Sequence, residues 1–435
     1  MPVAEPSTFH DATGVPSITH LGAKDCVTGS CHLVQAQGPA HRRCTLLVDC
    51  GTAQGDDPCT PLEMFPVAPG DIDCLILTHA HIDHIGRVPE LIEAGFAGEI
   101  LCSLATRALL LPMLRDAMSF SGRSDQTIAL LEEKIAKLSK GVALHREIRL
   151  VDGITCKLFN AGHILGSCFV LLSFAQSHGT AYRVIFSGDL GCSDTPILPD
   201  PDPPESCDLL VLESTYGDRI HPDRARRTEQ LAALLRNALA DGGIVYIPAF
   251  ALGRTQEILY ELDRIGLKVP VFVDSPLGLE ITRIYSQLQE FWDDEAQKRL
   301  RAGDHPFDFK GLYASATSRD HRQLLNVSGP AIIIAGSGMC SGGRIVDHLR
   351  KGLQDKKNDV VFVGYQASGT MGRQLVEGKM PARARIHLLN GFSAHADQQM
   401  LVNWVRAMPE APKEIRLVHG EEKARQDLRA ALHAE

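Results

Sequence analysis

Hydrophobic and polar positions follow two different patterns along the 435-residue chain. From Ile18 to Phe186 the apolar runs are short and mostly joined by turn residues, which predicts strands. The predicted strands include Thr45–Asp49, Ile72–Thr78, Phe169–Phe174 and Tyr182–Phe186. Helical spacing interrupts this region at Val88–Ala94 and Gln126–Ser139.

From Cys207 to about Gly378 the pattern becomes a strand, a glycine-rich loop and an amphipathic helix, repeated. The predicted strand–helix pairs are Ile244–Pro248 with Thr255–Ile265, Ala331–Ala335 with Arg344–Leu353, and Val360–Gly364 with Arg373–Glu377. Such repeats predict a parallel sheet covered by helices. The last segment returns to short elements, namely Ile386–Leu389, a helix near Asp397–Met408, the strand Ile415–Val418 and a terminal helix. The middle block therefore resembles an inserted α/β domain.

Composition narrows the class of protein. Hydrophobic residues make up 44% and charged residues 22% of the chain, which is typical of a globular protein. No run approaches the ~18 apolar residues of a membrane span, and the N-terminus lacks the pattern of a signal peptide. We therefore expect a cytoplasmic protein that contacts no membrane. The net charge of −9 predicts no more than a local basic groove for any nucleic acid.

The twelve cysteines contain no Cys-x-x-Cys pair. Because the chain also carries no sign of export, we interpret them as reduced, buried thiols.

A cluster of metal-binding residue types follows the strand Ile72–Thr78 directly. The segment His79-Ala80-His81-Ile82-Asp83-His84 places three histidines and an aspartate within six residues. Imidazole and carboxylate groups are ligands that zinc prefers, and a loop at a strand end can bring them to one point. A histidine-rich polar surface loop is the alternative, but this spacing disfavours it.

Further candidate ligands stand next to predicted strands. His163 precedes one strand, whereas Asp49, Asp189 and His419 end or follow three others. Residues at the carboxyl ends of strands point into a common crevice. Singly, Asp49 or Asp189 would be a turn residue bonded to backbone amides. Together, these residues can complete two metal shells.

The motifs identify a resemblance that covers nearly the whole chain. Besides the box at residues 79–84, they are Leu21-Gly22-Ala23, Val27-Thr28-Gly29-Ser30-Cys31, Glu213-Ser214-Thr215-Tyr216-Gly217, Pro248-Ala249-Phe250-Ala251-Leu252-Gly253-Arg254-Thr255-Gln256, Gly336-Ser337-Gly338-Met339-Cys340, Phe392-Ser393-Ala394-His395-Ala396-Asp397 and His419-Gly420-Glu421. They resemble the metallo-β-lactamase fold nucleases of the β-CASP group, in the branch of the eukaryotic pre-mRNA 3′-end cleavage enzyme and its bacterial and archaeal relatives. The resemblance implies an α/β protein, an αββα sandwich with an inserted β-CASP domain on a mainly parallel sheet. The implied boundaries are 1–213 and 379–435 for the sandwich and 214–378 for the insertion.

The resemblance also implies a dinuclear zinc site. One zinc would be held by His79, His81 and His163, and the other by Asp83, His84 and His419. Asp189 would bridge the two ions, and Asp49 would orient a ligating histidine. In this family the RNA-directed members have histidine at the position of His419, whereas the DNA repair branch has an apolar residue. His419 therefore implies RNA as the substrate.

The implied chemistry combines metal and acid catalysis. A water between two zinc ions would ionise near neutral pH and attack phosphorus, while the ions take up charge. His395 resembles the family's general acid, and Glu213 would bond to its ring and raise its pKa. Asp83 and Asp49 complete the catalytic set. On the residues alone, Glu213 is an ordinary strand-end carboxylate and His395 a helix N-cap neighbour.

Three loop positions predict contacts with RNA phosphates. Gly336, Ser337 and Gly338 lie between a strand and a helix, where bare backbone amides can hold a phosphate. A tight connection that needs glycine for its dihedral angles is the alternative. Arg254 and Arg373 open helices after the other two strands, so we expect a track for single-stranded RNA. Nearby, the sequence favours a solvated helix start for Arg224, Arg226 and Arg227.

The sequence thus predicts a zinc-dependent ribonuclease that acts in RNA processing or decay, as an endonuclease, a 5′-exonuclease or both. It would hold two zinc ions, although other divalent metals are compatible with the ligands, and it leaves a homodimer open. One alternative is a small-molecule ester or thioester hydrolase on the same metal core, which needs no insertion of this size. Another is a non-catalytic subunit of an RNA-processing complex, but such paralogues lose ligands that this chain retains.

Overall fold

The structure is a computed structural model that describes residues 15–434 apart from 38–42, 177–178, 223, 365 and 368. The described residues form eighteen strands and thirteen α-helices. They divide into two compact units. The first contains the described residues of 1–193, 200–220 and 395–435, and the second those of 194–199 and 221–394.

The first unit begins with a mixed sheet of six strands. They are β1 (Ser17–Gly22), β2 (Cys31–Gln37), β3 (Arg43–Val48), β4 (Cys74–Ile76), β5 (Glu99–Ser103) and β6 (Ser139–Val142), hydrogen-bonded in that order. The first three strands are antiparallel, and β3 to β6 are parallel. The helices of this segment are α1 (Ile82–Ile85), α2 (Val88–Glu93), α3 (Leu104–Ser119) and α4 (Asp125–Leu138). Helix α3 packs on β5 and β6.

Five further strands begin the second sheet of this unit. They are β7 (Ile148–Val151), β8 (Ile154–Asn160), β9 (Cys168–Phe174), β10 (Tyr182–Phe186) and β11 (Leu209–Glu213). Strands β7 to β10 are antiparallel neighbours, and β11 pairs in parallel with β10.

The second unit is built on a wholly parallel six-stranded sheet. Its strands are β12 (Ile244–Pro248), β13 (Val271–Asp274), β14 (Leu312–Ala314), β15 (Ala331–Ala335), β16 (Asp359–Phe362) and β17 (Arg385–Leu388), in the order β14-β13-β15-β12-β16-β17. Its helices are α5 (Arg227–Leu239), α6 (Arg254–Ile265), α7 (Pro276–Gln287), α8 (Asp294–Arg301), α9 (Ser318–Leu324), α10 (Arg344–Gly352) and α11 (Met371–Val376). The predicted parallel sheet is confirmed. Because β17 pairs with β16, the chain returns to the first unit only at His395. The boundary at residue 378 stays a prediction.

The C-terminal segment completes the second sheet of the first unit. It forms α12 (Gln398–Arg406), β18 (Glu414–Val418) and α13 (Glu422–His433), and β18 pairs in parallel with β11. The two sheets share one core, in which Val34 and Leu46 of the first pack with Val170 and Val184 of the second. Because helices lie against the outer side of each sheet, this unit is the predicted αββα sandwich.

The sandwich brings several strand ends to one edge. Asp49 follows β3 and His419 follows β18, and both adopt left-handed backbone conformations, with φ of 59° and 52°. Such angles are uncommon outside glycine, although Asp and His tolerate them better than most residues. The chain therefore turns sharply at both positions, where its side chains meet the loop after β4.

Candidate metal centre

Backbone contacts hold the loop that carries the predicted metal box. The amide of Ser30 donates to the carbonyl of Asp83 at 2.8 Å, and the amide of Cys50 donates to the carbonyl of His84 at 2.8 Å. Gly51 passes so close to this loop that a Cβ there would lie 1.6 Å from the Asp83 oxygen. Only glycine permits this approach, so the sequence between β3 and β4 determines where the ligands lie.

The two carboxylate oxygens of Asp189 face two different groups of side chains. Oδ2 lies 3.5 Å from Nε2 of His79 and 3.7 Å from Nε2 of His163. Nδ1 of His81 completes this group, 3.1 Å from Nε2 of each of these histidines. Three histidines and one aspartate oxygen therefore converge on one point.

The other oxygen, Asp189 Oδ1, belongs to the second group. It lies 3.3 Å from Nε2 of His84 and 3.7 Å from Nε2 of His419. Oδ2 of Asp83 is 3.9 Å from the first of these nitrogens and 3.6 Å from the second. The structure thus brings all seven predicted ligands together, with Asp189 between the two groups.

Unpaired polar atoms at this place fit a cation. Among the described residues, His84 Nε2, His419 Nε2 and Asp189 Oδ1 are buried without a hydrogen-bond partner. Each such atom costs about 1–3 kcal/mol unless something else satisfies it. Four ligands about 2 Å from a zinc ion in a tetrahedron lie roughly 3.3 Å apart, close to the spacings seen here. The residues therefore fit metal ions at both groups.

The ligand histidines differ in the direction in which their surroundings shift the pKa. Burial lowers the pKa of His81 to about 4, so this ring is neutral, as a metal ligand must be. Burial also lowers the pKa of His84, but the carboxylates of Asp189, Asp49 and Asp83 outweigh it and raise the pKa well above its ordinary value. The second group therefore carries an excess of negative charge that a cation would balance.

Asp49 supports this centre from behind. Its Oδ2 accepts a hydrogen bond from Nδ1 of His84 at 2.7 Å, and its Oδ1 accepts one from the Thr78 amide at 2.8 Å. The carboxylate is almost fully buried. Asp49 therefore has the contacts expected of a group that orients His84, whose Nε2 faces Asp189.

His395 and Glu213 lie beside the metal groups. His395 Nδ1 is 3.4 Å from Glu213 Oε2 and 3.8 Å from Asp189 Oδ2. Burial lowers the pKa of His395, but the negative charges of Glu213 and Asp189 raise it to about 9. Cations at Asp189 would neutralise that carboxylate and leave Glu213 as the anion that favours protonation. Glu213 is therefore the group that favours a proton on His395 when cations are bound.

Comparison with known families places this geometry in context. The metallo-β-lactamase superfamily profile matches residues 25–248, the Beta-Casp domain profile residues 255–375, and the profile of the Zn-dependent metallo-hydrolase RNA specificity domain residues 379–435. The chain belongs to the β-CASP metallo-β-lactamase family. It is a metal-dependent hydrolase, and the predictions of family and enzyme class are confirmed.

The curated relatives with similar sequences include a ribonuclease and transcription termination factors. Ribonuclease TTHA0252 of Thermus thermophilus is 36% identical over 423 residues, which is 93% of each chain. Transcription termination factor FttA of Methanosarcina mazei is 31% identical over 448 residues, covering 96% of this chain and 68% of that one. FttA of Methanocaldococcus jannaschii is 30% identical over 441 residues, covering 93% and 67%. The family likeness thus extends over nearly the whole chain.

The predicted RNA-binding glycine loop of this β-CASP protein lies at the carboxyl ends of the parallel strands. A Cβ on Gly338 would come within 2.8 Å of the Phe250 ring, and the Gly372 amide donates to the Met339 carbonyl at 3.2 Å. The loops after β12, β15 and β16 are therefore neighbours. Residues 336–338 lie in the loop after β15. Within this loop the amide of Ser337 donates to the carbonyl of Gly342.

The two predicted RNA-binding arginines already have partners. Arg254 forms an ion pair with Glu257 and is largely buried, whereas Arg373 is 43% exposed and pairs with Glu377 at 2.6 Å. An RNA phosphate would have to compete with a carboxylate at either position. Arg373 is the more accessible of the two.

The prediction for the basic segment 224–227 is wrong at two of three positions. Arg226 is exposed, but Arg224 and Arg227 are buried. Arg224 donates to the carbonyl of Ser393 at 2.7 Å, and Arg227 pairs with Glu261 at 3.2 Å. Burial in a hydrogen-bonded pair, not solvation, therefore explains these two arginines.

Sequence reasoning missed a polar cluster in the second unit. Oδ2 of Asp274 lies 2.6 Å from His321 Nδ1 and 2.7 Å from His348 Nε2, and its Oδ1 accepts from Arg344 and Ser315, both at 2.7 Å. These are hydrogen-bond distances, shorter than ligand spacings around a metal, and Arg344 already supplies a cation. The cluster therefore anchors the start of α10.

Two further expectations concern thiols and membranes. All twelve cysteines are free, and all but Cys59 are buried, so the interpretation of buried thiols is confirmed. None of the helices in the described ranges combines the length and apolar character needed to cross a bilayer.

Proposed function

We propose that this chain is a zinc-dependent ribonuclease that hydrolyses RNA phosphodiester bonds. The observation that carries the proposal is the division of the ligand atoms between the two oxygens of Asp189, with His395 and Glu213 beside them. A dinuclear centre with an adjacent acid suits a catalytic attack on a phosphodiester better than a role that only binds RNA. The ribonuclease relative and the RNA specificity profile favour RNA as the substrate.

Two zinc ions would be held in the arrangement that the resemblance implies. One would be bound by His79, His81 and His163, the other by Asp83, His84 and His419, and both by Asp189. When bound, the ions supply a nucleophilic water at neutral pH and neutralise charge on the phosphate oxygens. Asp49 keeps Nδ1 of His84 protonated, which leaves Nε2 for the metal.

His395 would protonate the leaving ribose oxygen. Glu213 is fully buried, and its Oε1 accepts a hydrogen bond from the Leu190 amide at 2.6 Å, so its position is fixed. Its charge faces Nδ1 of His395, which leaves Nε2 as the nitrogen that donates the proton. A positioned acid of this kind contributes about 10²–10⁴ to the rate.

Single-stranded RNA is the proposed partner, and the glycine loop with Arg254 and Arg373 its proposed track. The loops at the ends of β12, β15 and β16 support this placement, because they are neighbours at the carboxyl ends of the parallel strands. The proposed family domains are 1–213 and 379–435 for the metallo-β-lactamase part and 214–378 for the insertion; β17, which lies in the range 379–435, pairs with the sheet of the second unit. A cytoplasmic location and a possible homodimer stay predictions.

The two alternatives make different demands on the site. A non-catalytic subunit would not need seven ligands, an acid and its carboxylate within contact of one another. A small-ester hydrolase needs the metal centre but not His395 paired with Glu213. Because the seven candidate ligands and the pair of His395 and Glu213 lie together, the site favours a nuclease over either alternative.

The test is cleavage of RNAs labelled at either end, with a 5′ triphosphate or monophosphate, by purified protein. We expect hydrolysis that stops after chelation and returns with added zinc. Internal fragments would identify an endonuclease, and release of single 5′ nucleotides an exonuclease. Zinc-loaded protein that leaves all these RNAs intact but hydrolyses a thioester would contradict the proposal.

A further inference from the structure

Two threonine hydroxyls occupy equivalent positions on opposite sides of the metal centre. Thr78 follows β4 and Thr215 follows β11. Each Oγ1 lies between a buried carboxylate and Nδ1 of a ligand histidine. For Thr215 the neighbours are Glu213 Oε2 at 2.6 Å and His419 Nδ1 at 3.1 Å. For Thr78 they are Asp49 Oδ2 at 2.9 Å and Nδ1 of its neighbour in the chain, His79, at 3.1 Å.

Each hydroxyl has a third neighbour, which is His84 Nδ1 at 3.3 Å for Thr78 and the His419 carbonyl at 3.2 Å for Thr215. Because a hydroxyl carries one proton, it can donate only one of these bonds. Among the described residues, the charged Glu213 carboxylate is the closest acceptor of the Thr215 proton, ahead of the His419 carbonyl at 3.2 Å. Towards Nδ1 of His419, the hydroxyl oxygen can then only accept. His419 must therefore carry its proton on Nδ1, which leaves Nε2 bare at 3.7 Å from Asp189 Oδ1.

The same count of hydroxyl protons applies to Thr78. Asp49 accepts from Thr78 Oγ1, and it also accepts from His84 Nδ1 at 2.7 Å, which gives His84 a partner of its own. The Thr78 oxygen is then available to accept from Nδ1 of His79. Nε2 of His79 is then left without a proton, and it lies 3.5 Å from Asp189 Oδ2.

We propose that Thr78 and Thr215 are positioning residues that set the tautomer of one metal ligand in each half of the centre. The proposal rests on the metal centre of the proposed function. Each threonine extends a carboxylate by one hydroxyl, so that Asp49 serves both His79 and His84. Glu213 likewise serves both His395 and His419. A single buried carboxylate thereby fixes the geometry of two imidazoles.

The first test measures zinc affinity by competition with a chelator, without any RNA. Thr215→Val keeps the shape of the side chain but removes the hydroxyl that links Glu213 to His419. Thr78→Val likewise removes the hydroxyl that links Asp49 to His79. We call each such hydroxyl link a relay. Because groups that orient metal ligands contribute about 10–100-fold to affinity, each variant should bind one of its two zinc ions weaker by that factor. Thr215→Ser and Thr78→Ser keep the hydroxyl and should restore most of the affinity.

A matched control is Thr282→Val in the second unit. The Thr282 hydroxyl donates to the Gly278 carbonyl at 2.7 Å, and Thr282, like Thr78, belongs to the buried polar residues. This variant should bind both zinc ions as the wild type does. Unchanged affinity in both relay variants, or equal losses in the valine and serine variants, would overturn the proposal.

The second test reads the tautomers of the wild-type protein directly by NMR with ¹⁵N-labelled histidine. His79 and His419 should each carry the ring proton on Nδ1. A neutral ring with its proton on Nε2 at either position would overturn the assignment, even if the valine variants fail to fold. Protein that binds zinc with these tautomers but does not cleave RNA would contradict the proposed function and leave the relay supported.

Discussion

Replacing Gly51 by alanine should remove one zinc ion without changing any ligand. The added Cβ would lie 1.6 Å from the Asp83 carbonyl oxygen and 2.6 Å from the His84 nitrogen, whereas ordinary contacts begin at 3.4 Å. The loop would have to move by about 1.8 Å, far beyond the ~0.2 Å tolerance of metal–ligand distances. We expect zinc affinity at the group of Asp83, His84 and His419 to fall at least ~100-fold, equal to about 2.8 kcal/mol.

The assay is zinc content by metal analysis, together with chelator competition on folded protein. Gly70→Ala is the matched control, because its Cβ would meet the Gly95 oxygen at an ordinary 3.4 Å. The control should retain two equivalents, whereas Gly51→Ala should retain close to one. A folded Gly51→Ala protein with two tightly bound zinc ions would refute the reasoning.

Three other predictions concern single side chains. His84→Ala should lower bound zinc from two equivalents toward one and reduce nuclease activity with it; two full equivalents by metal analysis would remove His84 from the ligand set. Arg373→Ala should weaken single-stranded RNA binding for all sequences and flatten its salt dependence by roughly 0.7 in log–log slope, with zinc intact. An unchanged slope and affinity would exclude Arg373 from the track. Glu213→Gln should slow cleavage through His395 and, because Glu213 also accepts from Thr215, weaken zinc binding at His419; an unaltered rate would show that the charge of Glu213 is not needed.

Local spacing explains what the sequence could predict. The box of residues 79–84 is contiguous, and the other ligands adjoin strands whose apolar runs are easy to recognise. The bounds of β10 and β12 agree with prediction, because both strands are apolar runs bounded by turns. Parallel pairing of β10, β11 and β18 brings the strand ends next to Asp189, Glu213 and His419 to one edge of their sheet.

Other features have no local signal. Helix α3 is apolar on several sides and contains Pro112, so its sequence lacks a clear amphipathic period. The partner of Arg227 is Glu261, 34 residues away, and a distant partner cannot be read from one sequence. The relay through Thr215 depends on a hydroxyl, but its motif is recognised by the acidic residue Glu213. Each of these features depends on tertiary contacts and not on periodicity.

Zinc and His395 act together in the proposed hydrolysis of RNA, and a change of leaving group tests their roles most directly. Cleavage by wild type and His395→Ala should be compared on ordinary RNA and on RNA whose leaving ribose oxygen is replaced by sulfur, which needs no proton to depart. We predict a ~10²–10⁴-fold loss on ordinary RNA, almost none on the sulfur substrate, and unchanged zinc content. Equal losses on both substrates, or loss of zinc from the variant, would contradict the account.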